Sequence, residues 1–235
     1  MALTKRQEIV NLISHELKTP TVPILGYCEM LVNSKLGSLS TDQNEAVKEI
    51  QQNAIQLNHL IFDFWNAQQL DLGKMKYFYE DVNVNELIKH LERDLSNLII
   101  GKNIEFSKLI ESEIHITTDE SKLFEIFKNL IENSSNFVPE IGGKIQISVK
   151  PDDSFVQFSV EDNGSGIAKE KMNLLFKKFH QIDTSHRRVH SGGGLGLTIC
   201  KGYIEDMGGK IWAKSEIDIG TTFFFTLPKN QGEKL

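Results

Sequence analysis

Cysteine is scarce in this chain. Only Cys28 and Cys200 occur in 235 residues, far apart and outside any CxxC spacing. That count excludes a disulfide-stapled scaffold and a cysteine-rich metal site, and two reduced thiols in a cytosolic protein are expected. Long apolar runs are missing as well: none approaches the roughly 18–20 residues that a membrane-crossing helix requires. Residues 1–6 lack the apolar stretch of a secretory signal. Basic charge is outweighed by acidic, 26 Lys and Arg against 32 Asp and Glu, for a net charge of -6. This balance argues against nucleic acid and against an anionic membrane surface as the main partner. No GxxxxGK[ST] is present, and Leu197 stands where the last glycine of a GxGxxG pattern would be, so neither a P-loop nor a dinucleotide fingerprint occurs. No internal repeat points to a solenoid or propeller.

A hydrophobic share of 40% supports one large domain or two modest ones. The texture changes near residue 75. Before it, Val47, Ile50, Ala54, Leu57, Ile61 and Phe64 step by threes and fours, the spacing of a coiled-coil seam. Ile9, Ile13, Leu17, Ile24, Tyr27 and Leu31 form a looser stripe upstream. The Ser-, Gly- and Asn-rich segment 33–42 reads as the turn between two helices. Two helices alone leave an apolar face uncovered, and pairing with a second copy into a four-helix bundle would cover it.

Beyond residue 75 the pattern is mixed. Helices are predicted over 86–100 and 120–137, the second capped by Thr118 or Asp119. Alternating segments at 144–150 and 155–161 flank the turn residues Pro151, Asp152 and Asp153, which predicts a hairpin. A helix over 195–207 ends at Gly208-Gly209, and strands follow over 210–215 and 221–227. Helices packed on one face of a mostly antiparallel sheet are expected. The boundaries expected are a helical hairpin over 1–75, a hinge linker over 76–80 and an α/β sandwich over 81–235.

His15 lies in Ser14-His15-Glu16-Leu17-Lys18-Thr19-Pro20, where the flanking apolar positions take the buried stripe and push the imidazole toward solvent. A neutral imidazole has one nitrogen free to attack and one N–H to be held. Glu16 is placed to hold that N–H and take its proton. Thr19, one helical turn on, shares the face of His15 and is suited to positioning a water for a hydrolytic reverse reaction. Pro20 and Pro23 each remove a helical hydrogen bond and should bend the helix beside the histidine.

Three further constellations bear on phosphate chemistry. Gly192-Gly193-Gly194-Leu195-Gly196 runs directly into a helix, which offers bare backbone N–H groups and a helix N-terminus to an anion. Asp162-Asn163-Gly164-Ser165-Gly166 follows a predicted strand. A buried carboxylate there would accept from the exocyclic amine of adenine and refuse guanine, and Gly164 and Gly166 would let backbone approach a base. Asn129 and Asn133 share one helix face with Glu125 and Glu132 nearby, a set of oxygens suited to Mg2+. Taken singly, each signal has an ordinary counterpart: a surface histidine beside an acid, a flexible loop, a surface turn, a solvated helix face.

The order of the motifs is distinctive. His15-Glu-Leu-Lys-Thr-Pro20, a seam helix, Asn129-Leu-Ile-Glu-Asn133, Asp162-Asn-Gly-Ser-Gly-Ile167, Phe176-Lys-Lys-Phe179, Gly194-Leu-Gly-Leu197 and Gly220-Thr-Thr-Phe223 succeed one another along nearly the whole chain. In this order the sequence resembles the two-component sensor histidine kinases. The resemblance implies a dimerising helical hairpin followed by an ATP-binding sandwich of the Bergerat type. It implies His15 as phosphoacceptor, Glu16 as base and Thr19 in phosphatase activity. Asp162 would lie on adenine, with Asn133 and Asn129 at Mg2+ and phosphate. Residues 177–193 would form a lid over ATP, with Phe176 and Phe179 as its hinge and anchor. Arg187 or Arg188 would supply charge to the phosphates. Gly164, Gly166, Gly192, Gly194, Leu195, Gly196 and Thr222 would complete the nucleotide pocket. Partners implied are a second copy of the chain and a response-regulator receiver domain, with no nucleic acid and no membrane contact in this segment. The setting implied is cytoplasmic, including the soluble part of a membrane-anchored parent, because the chain opens almost at the His15 helix.

The sequence departs from the family pattern at four positions. Asn136 stands where a phosphate-binding lysine is common, Gln181 where an arginine is frequent, Ser191 replaces a lid glycine, and Pro23 is an added breaker. The first two motivate an alternative, a phosphatase-dominant or kinase-dead member. A non-enzymatic dimeric adaptor is the alternative from a different class, and the glycine-rich lid argues against it.

Overall fold

A computed structural model describes residues 19–110, 112–180 and 194–230. The chain divides into two compact units that meet in sequence between Met75 and Lys76.

The first unit is a helical hairpin. Its first helix, α1, is described over 19–32 and stays helical through Pro20 and Pro23. The turn that follows uses Ser34 at φ 56 and Gly37 at φ 109. The second helix, α2 (Thr41–Asp71), opens with a capping box: the Ser40 hydroxyl accepts from the Gln43 N–H, and the Gln43 side chain accepts from the Ser40 N–H. The helices are tied by Thr21, whose hydroxyl donates to Asn58 Oδ1 at 2.5 Å. Thr21, Cys28, Ala54 and Ile61 are buried. The expected seam is therefore divided. Ala54 and Ile61 turn inward, whereas Ile24, Tyr27, Ile50 and Leu57 are exposed.

The second unit is a five-stranded sheet covered on one face by helices, with a separate two-stranded ribbon. The ribbon pairs β1 (Glu80–Asn83) with β3 (His115–Thr118). The large sheet runs β2 (Glu105–Ile110), β4 (Lys144–Pro151), β5 (Phe155–Asp162), β7 (Gly220–Pro228), β6 (Lys210–Glu216). Only β2 against β4 is parallel. The helices are α3 (Val84–Asp94), α4 (Ser96–Gly101), α5 (Glu120–Ser135) and α6 (Gly196–Asp206), with a 3-10 turn at Lys169–Leu174.

Burial follows the two-residue period of the strands. Ile145, Ile147, Val149, Val156, Phe158, Val160, Phe223, Phe225 and Leu227 are fully shielded. They meet the apolar stripes of α3 (Leu87, Ile88, Leu91), α5 (Leu123, Ile126, Phe127, Leu130) and α6 (Ile199, Ile204). Phe127 stands edge-on to Phe158 and Phe225, whose rings stack with centroids 4.6 Å apart. Of the two N-caps expected for α5, the structure uses Asp119, whose carboxylate accepts from Lys122 N–H.

Two expectations are corrected. The single helix expected over 86–100 is two, because buried Leu95 leaves helical geometry and α4 starts afresh from it. The linker expected over 76–80 is bound to the second unit. Phe78 N–H donates to Asp119 Oδ2 and the Tyr77 hydroxyl to Asp206 Oδ2, both at 2.9 Å, while the Tyr77 ring sits edge-on to Tyr203. The Tyr77 hydroxyl is held protonated by burial first and by the Asp206 carboxylate second.

Phe127 joins α5 to two strands in a site with no exposure. Phe127→Ala is expected to cost about 3–5 kcal/mol of unfolding free energy, measured by urea denaturation. A loss below about 1 kcal/mol, the scale of a tolerated core swap, would contradict this packing.

Candidate functional site

Asp162 ends β5 on the helix side of the sheet and is 6% exposed. Its Oδ1 accepts from Gly164 N–H at 2.9 Å and Thr221 N–H at 3.2 Å, and its Oδ2 accepts from the Ser134 hydroxyl at 2.9 Å. Burial pushes the carboxyl upward, and the three donors partly oppose the shift by stabilising its charged form. One carboxylate thus ties α5, the 163–166 loop and β7 together. A Cβ on Gly164 would lie 2.8 Å from Asp162 Oδ1 and 2.9 Å from the Phe137 carbonyl, so only glycine fits there. Gly166 is the second glycine expected to let backbone approach a base. At φ 68 it packs against the Glu216 carbonyl, and Asp218 N–H donates to Ser165 O at 2.9 Å. It lets the loop close onto the β6–β7 turn.

Helix α5 carries Asn129 and Asn133 one turn apart, both half-buried. Asn129 lies against the glycine turn: a Cβ on Gly196 would stand 3.1 Å from Asn129 Oδ1. Gly194, at φ 67, accepts from Phe179 N–H at 3.1 Å. Leu195 is buried and precedes the first residue of α6. Phe179 has φ 59 and is 65% exposed, whereas the Phe176 carbonyl accepts from the Thr198 hydroxyl at 3.1 Å. One hydrogen bond therefore joins Phe179 to the glycine turn and another joins Phe176 to the first turn of α6. Glu125, expected beside the metal, is otherwise engaged. It accepts from the Tyr203 hydroxyl at 3.3 Å and pairs with Lys122 at 3.5 Å, and burial raises its carboxyl.

Thr222 requires correction. Its neighbour across the strand is Glu161, and Asp162 pairs with Thr221. With alternating side chains, Thr222 falls on the opposite face from the Asp162 carboxylate. There it lines a groove of about 520 Å3 with Glu105, Lys144, Gln146, Glu161 and Lys214. Thr221 takes the place expected of Thr222, buried, with its hydroxyl 2.9 Å from Ser215 Oγ. Ser134 and Thr221 are the functional neighbours that the motifs did not single out, each one residue from a position that was. Thr19 is exposed at the start of the described part of α1. His15, Glu16, Arg187, Arg188 and Gly192 lie outside the described residues, as do Gln181 and Ser191.

A buried carboxylate with a raised pKa makes its charged form unfavourable to folding. That cost is fully present above the folded pKa and vanishes as pH falls below the ordinary value of 3.8. Asp162→Asn keeps the shape and the acceptor for Gly164 and Thr221, and its NH2 can donate to the Ser134 hydroxyl oxygen, so it is expected to raise the melting temperature at neutral pH, with the gain shrinking as pH drops toward 4. A gain that grows toward acid would reverse the sign assigned here.

Comparison with known proteins accords with this geometry. Residues 5–73 match the family model of the His Kinase A (phospho-acceptor) domain. Residues 118–231 match that of the Histidine kinase-, DNA gyrase B-, and HSP90-like ATPase. The chain is 32% identical over 221 residues to hybrid signal transduction histidine kinase B of Dictyostelium discoideum, covering 92% of this chain and 11% of that protein. It therefore spans about a tenth of that relative's length. Among solved structures, full-length ShkA in complex with AMPPNP superposes with a TM-score of 0.79 at 26% identity, over 97% of this chain and 47% of that one. The catalytic domain of histidine kinase ThkA is 30% identical, with a TM-score of 0.58, over 66% of this chain and 99% of that domain. The chain belongs to the two-component sensor histidine kinases, of which it carries the phospho-acceptor helices and the ATPase-like catalytic domain.

Proposed function

We propose that this segment binds ATP with Mg2+, phosphorylates its own His15 and passes the phosphoryl group to an aspartate of a response-regulator receiver domain. The observation that carries the nucleotide half is Asp162. A carboxylate buried to 6% and held by three neutral donors is costly for the free protein. An adenine exocyclic amine repays that cost by donating to it. The polyphosphate would run along the asparagine face of α5 toward the glycine turn at the start of α6, whose N–H groups and helix dipole favour anions. Asn133 and Asn129 offer amide oxygens, the hard donors that a hydrated Mg2+ accepts. Held there, the ion would supply positive charge against the phosphates.

In the transfer, a ring nitrogen of His15 attacks the γ-phosphorus. An N–P bond forms, the bond to the bridging oxygen breaks, and ADP leaves with that electron pair. The imidazole N–H proton passes to Glu16. The nucleotide must reach the histidine, so a joint is needed between the two units. Tyr77 and Phe78 are hydrogen-bonded within the second unit, which favours 72–75 as that joint, with Gly73 at φ 60. Thr19 supports a phosphatase activity toward the receiver, by orienting a water one turn from His15.

Incubation with γ-labelled ATP and Mg2+ tests the reading. Label lost in acid and retained in alkali, present in the wild type and absent in His15→Gln, is expected. Undiminished labelling in His15→Gln would overturn the phosphoacceptor assignment. With a phosphorylated receiver, Thr19→Ala should slow dephosphorylation while sparing autophosphorylation, and equal dephosphorylation rates would remove Thr19 from that role.

A homodimer is the second part of the proposal. It is supported by Val22, Ile24, Tyr27, Ile50 and Leu57, all at least 40% exposed on the hairpin. Exposed apolar side chains on both helices favour a partner copy that covers them. Sedimentation should give a dimer for the wild type and a monomer for Ile50→Glu with Leu57→Glu. A wild-type monomer at micromolar concentration would contradict the proposal.

A further inference from the structure

Residues 76–79 lead into β1, and the strap they form lies against the ends of two helices. The Tyr77 hydroxyl donates to Asp206 Oδ2 at 2.9 Å, on the last residue of α6. Phe78 N–H donates to Asp119 Oδ2 at 2.9 Å, on the N-cap of α5. The Tyr77 ring stands edge-on to Tyr203, with centroids 6.4 Å apart. Tyr203 is fully buried, with the Lys122 ammonium 4.6 Å from its ring centre, so the strap rests on a fixed floor.

Asp206 does nothing for α6 itself. A carboxylate there faces the negative end of the helix dipole, and the last turn holds no basic residue. The bond from Tyr77 is the one its side chain makes among the described residues. Burial and that carboxylate keep the Tyr77 hydroxyl protonated, so the donor persists. On the hairpin side, α2 is closed by the Gly73 turn. Gly73 N–H donates to the Leu70 carbonyl and Lys74 N–H to the Gln69 carbonyl, both at 3.0 Å. Met75 and Lys76 are what remains between the two fixed ends. With Tyr77 and Phe78 released, the next fixed point would be β1 at Glu80, and the free stretch would run over 75–79.

We propose that Tyr77 and Asp206 are positioning residues for phosphoryl transfer: by holding the strap on α6 they keep the free chain between the two units short. The role rests on the kinase reading above, in which the nucleotide is brought to His15 by a unit tethered through this chain. The effective concentration of a tethered reactant falls with about the −3/2 power of the free length. Somewhat more than doubling that length therefore lowers it about threefold. The bonds that hold the strap involve neither Asp162 nor Asn129 and Asn133, so ATP affinity is unaffected.

The test compares the full chain with Tyr77→Ala, Asp206→Ala and Asp206→Asn. Hydrogen exchange at Phe78 N–H reads release of the strap, and γ-labelled ATP with Mg2+ gives kcat and KM for autophosphorylation. Tyr77→Ala and Asp206→Ala are expected to speed the exchange and to lower kcat about threefold at unchanged KM. Asp206→Asn keeps an oxygen that accepts from Tyr77 and should match the wild type in both. Inserting Gly-Ser-Gly between Met75 and Lys76 should lower kcat to a similar extent while Phe78 exchange stays slow, which isolates length from packing. Faster exchange with unchanged kcat in both alanine variants would overturn the proposal. So would slow exchange in both, since something else would then hold the strap. A rise in KM in place of a fall in kcat would assign the effect to the nucleotide pocket and overturn it too. A wild-type chain that takes no acid-labile label overturns the kinase reading and this role with it, whereas a labelled wild type with unaltered variants overturns this role alone.

Discussion

The Asp162 carboxylate is the constraint around which the catalytic unit is arranged. Placing a charge at 6% exposure requires donors from every side, and they come from α5 through Ser134, from the following loop through Gly164 and from β7 through Thr221. These bonds set where α5 lies over the sheet and how the loop turns. The apolar layer beneath does the larger energetic work, with Phe127, Phe158 and Phe225 joining helix to strands. That layer alone would leave helix position free to slide by a residue, and the directional bonds to Asp162 remove the freedom.

From that anchor the remaining parts of the site follow. With Ser134 on Asp162, the 3.6-residue period brings Asn129, Asn133 and Asn136 onto an adjoining face. Asn129 meets the start of α6 at Gly196. The bond from Phe179 to Gly194 sets the phenylalanine pair beside that turn. At the opposite end of α6, Asp206 takes the Tyr77 hydroxyl, and the Tyr203 ring packs against Tyr77 under the Lys122 ammonium. Helix α6 thus touches the glycine turn with its first residue and the incoming linker with its last turn. The glycine turn and the linker meet opposite ends of one helix.

Much of this was legible in the residues. The alternation over 144–150 and 155–161 predicts β4 and β5 almost to their ends. Asp119 was one of two caps expected for α5, Asn129 and Gly196 lie against each other, and Asp162 is bonded to Ser134 on the helix that carries Asn129. The failures have common causes. Strands β1 and β3 have four residues each, too short for a period to register. Strand β2 is an edge strand whose burial hardly alternates and whose parallel partner lies beyond α5, so its pairing leaves no local trace. Thr221 and Thr222 are chemically identical neighbours, and only strand register says which faces Asp162.

The sequence by itself determined the side chains at hand: an imidazole beside a carboxylate, an acid followed by glycines, asparagines one turn apart and glycines entering a helix. Spacing over a few residues is enough for this, because helix and strand periods are local properties. Tertiary structure decided the partners: Ser134 for Asp162, Asp206 for Tyr77, Lys102 for Asn136. Those pairs are 28, 129 and 34 residues apart. Side chains so distant meet only after the helices have buried their apolar stripes on the sheet. The direction of that burial depends on the packing of the whole layer rather than on any one segment.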